Sequence, residues 1–156
     1  MTLTRVVGRK SLELSIFEAK AAVDDKAREV RARFATDGKH QVYAEKRDEA
    51  TRYIAADAEP GPAPDLTDYP YLAAEVGITA PTPLALAQLW LEMDSQWRRV
   101  AATIESISLN AKSQIGSADS RAEMDAIAAA AVAALDGIGE KPPERPKKPP
   151  NRGRPF

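Results

Sequence analysis

The sequence predicts an all-α protein: long helices, an antiparallel helical hairpin with a coiled-coil-like seam, a Pro-rich extended linker and an extended C-terminal tail. Two observations lead there. Apolar residues recur every three or four positions over 12–34 and again over 86–111, which places them on one face of an α-helix. The prolines fall outside those periodic stretches, mostly in 59–70 and 139–156, where they forbid a continuous helix. The chain divides accordingly into an N-terminal helical segment (1–58), a linker (59–70), a helical hairpin (71–138) and a basic Pro-rich tail (139–156).

Residues 1–8 read as a short strand or an arm, since Val6 and Val7 form a β-branched pair before Gly8. A helix is expected from Ser11, with Leu12, Ile16, Ala19, Val23, Ala27, Val30 and Phe34 as its stripe. That spacing is an eleven-residue pattern, which stays nearly straight. A narrow stripe needs a mate, either the next helix or the same helix of another copy. Asp37-Gly38 favours a turn. A second helix is expected over 41–56, with Tyr43, Ala50, Tyr53 and Ile54 inward and Glu45, Lys46, Asp48, Glu49 and Arg52 solvated.

After the linker, "YLAAEVG" reads as a short helical turn ended by Gly77. Thr82 is a good N-cap and Pro83 suits the first helical position. Gly116 is a natural residue to end that helix, about 50 Å away at ~1.5 Å per residue. Its inner positions are Leu86, Trp90, Met93, Trp97, Val100, Ile104, Ile107 and Ala111. The alternation of four and three is a heptad seam. A last helix restarts near Ser117 or Asp119, with Asp119 as cap, Glu123 in its first turn and Met124, Ile127, Ala131 and Leu135 as its stripe. The short connection predicts that it folds back on its predecessor.

Composition narrows the function. Alanine is abundant and aromatics are few, so each helix buries little area alone and is expected to complete its core by association. Net charge is −1 with both signs mixed, which argues against a whole-surface nucleic-acid binder. No cysteine is present, so disulfides, thiolate zinc sites and cysteine nucleophiles are excluded. The first residues hold no apolar run of signal-peptide length, and no segment approaches the ~20 apolar residues of a membrane span. A protein made in a cytoplasm is expected, soluble or joined to an assembly.

The one histidine, His40, sits at a predicted turn and reads as solvent-exposed. No H-E-x-x-H, phosphate loop, dinucleotide fingerprint, EF-hand loop or nucleophile elbow occurs. The reading is therefore no enzyme, no cofactor, no metal and no small-molecule substrate. The candidate residues are those that bind partners: Ile16, Val23, Val30 and Phe34 on the first stripe, Trp90 and Trp97 on the seam, and Arg152, Arg154 and Phe156 in the tail. The two tryptophans could anchor a partner or pack inside the chain against the 118–136 helix, and their place in the seam favours packing. The tail carries six Lys/Arg and two Glu with six prolines. Polyproline II or disorder is its default. It could also serve as a nucleic-acid arm, or as an extended peptide lying on a neighbouring subunit.

One motif is more specific. Tyr69, Pro70, Leu72, Ala73, Ala74 and Glu75 spell Tyr-Pro-x-Leu-Ala-Ala-Glu, followed by an Ala-rich helix with Trp97 and by Ala111, Lys112 and Ile115 as an Ala-Lys-x-x-Ile step. Over roughly residues 42–136 this resembles a segment of tail proteins of tailed bacteriophages. One position departs: the segment carries an arginine shortly before the Ala-Lys step, and this chain has "SISLN". The segment is attached to tail fibres, fibre-assembly proteins or baseplate parts. The resemblance implies a place, the virion, and partners that are other copies and other virion proteins. It implies a structural component of a tail fibre, baseplate or neck. A fibre-assembly chaperone is the alternative, and a nucleic-acid-binding accessory protein the third.

Overall fold

A computed structural model of the chain describes residues 3–34 and 40–139, and side chains from Leu12 onward within the first of these ranges. The fold is all-helical there, as the sequence predicts. Five α-helices follow one another: α1 (Leu3–Phe34), α2 (His40–Asp57), α3 (Pro70–Glu75), α4 (Pro83–Ser117) and α5 (Arg121–Asp136). A 3₁₀ turn, Leu66–Asp68, precedes α3.

Two apolar clusters lie along α4. The first joins α1 (Ala19, Val23, Ala27, Val30), the second half of α4 (Ile104, Ala111, Ile115) and α5 (Met124, Ala128, Ala131, Leu135). The second joins α2 (Ala50, Tyr53), Tyr69 and Leu72, and the start of α4 (Leu86, Ala87, Trp90). Val23, Val30, Ile104, Ile115, Met124 and Leu135 are completely shielded from solvent. Each such side chain contributes about 1.5–3 kcal/mol of burial. The alanines between them let the three helices approach.

The first stripe finds a mate that the sequence reading did not offer. α1 packs against α4 and α5, not against α2. Ion pairs fix the register. Asp24 meets Lys112 at 2.8 Å and Arg31 meets Glu105, so α1 runs counter to α4. Glu18 faces Arg121, and Arg33 meets Asp136 at 2.8 Å, so α1 runs along α5. A periodic stripe says that a face is buried, not which face covers it.

Several boundaries differ from the expectation. The supposed strand or arm at 1–8 is helical from Leu3. One glycine costs a helix only about 1 kcal/mol, and Gly8 does not end this one. Gly116 lies inside α4, which ends at Ser117. Ala118 then turns the chain with an ordinary extended conformation (φ −73°, ψ 140°), so no left-handed glycine is needed. The cap of α5 is Ser120, not Asp119: Ser120 Oγ accepts from Glu123 N–H, and the Glu123 carboxylate accepts from Asp119 N–H. This is close to a capping box. The Thr82 cap stands as expected, accepting from Ala85 N–H.

The seam is not the regular heptad of the sequence reading. Met93 is 51% exposed, and Asp94 lies half-buried beside it, paired with Arg98 at 2.8 Å and Arg47 at 3.8 Å. The buried face of α4 shifts from Leu86 and Trp90 to Ile104, Ser108, Ala111 and Ile115. A straight helix drifts by ~20° per heptad, and here its two halves face different helices. Ser108 enters the core because its hydroxyl donates back to Ile104 O at 2.8 Å.

Candidate interaction surfaces

The motif residues 69–75 are built into the fold from α2 upward. α3 starts at Pro70, which has no N–H to satisfy, and Tyr69 supplies no side-chain cap. The next two backbone donors, Tyr71 N–H and Leu72 N–H, point at the Glu49 carboxylate at 3.0 Å each. Ala73 N–H then closes the first helical bond to Tyr69 O. Glu49 is 4% exposed, which corrects its assignment to a solvated face. Its charge suits the positive end of a helix.

Other contacts tighten the same clasp. The Tyr69 and Tyr53 rings meet edge to face, 5.3 Å between centroids. Leu72 is fully buried. Lys46 pairs with Glu75 and lies 5.0 Å from the Trp90 ring centroid. Tyr71 donates its hydroxyl to Glu45. That bond holds the Glu45 carboxyl below its ordinary range and raises the Tyr71 hydroxyl above its own. Gly77, at φ 82°, follows α3 and donates to Ala80 O, a left-handed position that favours glycine.

The candidate partner-binding residues fall in three places. Val23, Val30 and the half-buried Ile16 are in the α1–α4–α5 cluster. Trp90 is 8% exposed in the α2–α3–α4 cluster. Phe34 and Trp97 come together, ring centroids 5.3 Å apart. Trp90 therefore packs inside the chain in the cluster that holds α2, not the 118–136 helix, and the half-buried Trp97 meets Phe34 of α1. Arg152, Arg154 and Phe156 lie outside the described residues.

What remains open to a partner is a different set. Leu12, Leu14 and Phe17 on α1 are 37%, 56% and 70% exposed. Leu14 and Phe17 are three apart and share a face. They stand off the buried stripe, and that was the signal: two large apolar residues out of phase with it. Ile78 and Leu109 are also exposed. His40 is exposed at the start of α2. Among the described residues no buried side-chain polar atom lacks a partner, and no helix is long and apolar enough to cross a membrane. A shallow groove lies between α4 and α5, lined by Ile107, Asn110, Gln114, Ala126, Ile127 and Ala130.

Comparison with family models finds no match, and neither curated proteins nor solved structures yield one.

Proposed function

We propose that the chain is a structural component of a tailed-bacteriophage virion, in its tail fibre, baseplate or neck, and acts by packing against other subunits. One observation carries the reading. Of the Tyr-Pro-x-Leu-Ala-Ala-Glu residues on which the resemblance rests, Pro70, Ala73 and Ala74 stay exposed, while Tyr69, Leu72 and Glu75 fasten α3 onto α2 and α4. They serve construction. In this reading α4 and α5 form a rigid antiparallel hairpin with coiled-coil-like packing in the second half of α4. The partner contact is the apolar face of α1 at Leu14 and Phe17, because Val23, Val30 and Trp90 are covered by the chain itself. The mechanism is adhesion by apolar burial.

Detection of the chain in purified particles from its source culture tests the proposal. A fixed copy number per particle is the expected result. Presence only on fibre precursors, with none in finished particles, would replace it by the assembly-chaperone reading.

A further inference from the structure

A groove on the outer side of α2 matches a segment of this same chain in charge, shape and reach. The groove is lined by Gln41, Glu45, Asp48 and Arg52 of α2, with Pro70 and Tyr71 of α3 across from them. The four α2 positions stack on one face, spaced by three or four. The Tyr71 ring is held in place through its hydroxyl on Glu45, with Pro70 beside it in the lining. Glu45 and Asp48 place two carboxylates on its open side, Asp48 paired with Arg52 at 2.9 Å, while the capping Glu49 is buried and turned to the α3 backbone. The surface is a shallow groove with one net negative charge on its open side (Glu45 and Asp48 against Arg52) and a fixed aromatic wall, which suits a basic, proline-rich segment.

Residues 140–156 have that composition: six prolines, with six Lys/Arg against two Glu. Reach favours the chain's own copy. The segment departs from Gly139, whose φ is 90° and whose α-carbon faces the Phe34 ring so closely that a Cβ would collide with it. α2 begins six residues after Phe34, a span of at most about 20 Å. The start of α2 therefore lies within the reach of a seventeen-residue segment leaving Gly139. Seventeen residues extended as polyproline II cover about 50 Å. A tethered segment also competes at an effective concentration on the order of millimolar, and proline brings little freedom to lose on docking.

We propose that residues 140–156 dock in the α2–α3 groove of their own chain, prolines against Tyr71 and Pro70, Lys and Arg over Glu45 and Asp48. This stands apart from the virion reading and holds or fails without it. The test uses the full chain, which has no native cysteine to compete for a label. A nitroxide on Asn151→Cys is read by the loss of backbone amide signals in the folded protein. Selective loss at Glu45, Asp48 and Tyr71 is expected, reversed in 1 M salt, where the screening length falls to about 3 Å, and weakened in Glu45→Gln/Asp48→Asn. Uniform loss, or loss centred on another surface, overturns the proposal. Loss that appears only when labelled and isotope-enriched chains are mixed overturns it too, and assigns the groove to a second copy.

Discussion

Glu49 of α2 accepts the backbone N–H of Leu72 at 3.0 Å, so a carboxylate from one helix supplies the cap that the next short helix lacks. The bond joins the only buried acid among the described residues to a fully buried leucine. Glu49→Ala leaves two backbone donors unpaired in a closed site. A loss of about 1–3 kcal/mol is expected, read as a lower urea midpoint. Glu49→Gln retains an acceptor oxygen and should lose less.

Leu72→Ala removes a side chain with no solvent exposure. The expected cost is about 2–5 kcal/mol. Because Leu72 belongs to the second cluster, Trp90 fluorescence should report the change more strongly than Trp97 does. A single-tryptophan background, with Trp97→Phe, separates the two.

Phe34→Ala opens the contact with Trp97. Phe34 is half-buried, so roughly half of the ~3–5 kcal/mol of a fully buried Phe→Ala is expected. Trp97 emission should shift to the red. Gly139→Ala should destabilise as well, since φ 90° and the Phe34 ring both exclude a Cβ.

Acid should weaken the fold through identifiable carboxylates. Lys26 first and then Arg33 hold Asp136 below its ordinary range, Arg33 and then Lys26 do the same for Glu29, and the Tyr71 hydroxyl does so for Glu45. A folded-state pKa below the unfolded one adds stability that is fully present above the unfolded value, about 4 for carboxylates. It is lost as the pH falls through the lower folded values. The urea midpoint should stay level from neutrality to about pH 5 and drop below about 4. Asp136→Asn should flatten part of that drop. In base the sign reverses: Tyr71, raised by Glu45, and Tyr53, raised by burial, contribute below about pH 10 and lose that contribution as the pH climbs through their folded values.

Much of this fold was legible in the residues. Thr82-Pro83 marked the start of α4, and the stripes at 12–34 and 124–135 marked the inward faces of α1 and α5, save that Leu12 is 37% exposed. Pairing was not legible. Apolar periodicity carries no address, so α1 could be matched with α2 or with a second copy while its contacts with α4 and α5 lie 74 to 103 residues away. Charge pattern failed at Glu49 for the same reason, because its partner is the backbone of a distant helix. An uncapped Tyr69-Pro70 helix start was the clue that an outside acceptor was needed. Met93 fits a strict heptad but is exposed, because the buried face of α4 shifts between its two halves.

The same pairing changes how self-association can be tested. Deleting residues 1–36 would uncover Ile104, Met124 and Leu135, so loss of assembly in that truncation would report unfolding. Leu14→Ser/Phe17→Ser alters only exposed positions and should change stability by about 0.5 kcal/mol or less per site. Light-scattering mass of the full chain and of this variant, with helix content checked by circular dichroism, is the most direct test of a multi-copy structural role through α1. A discrete oligomer that becomes a folded monomer in the variant is the expected result. A monomer in both forms, or an oligomer unchanged by the substitutions, would contradict it.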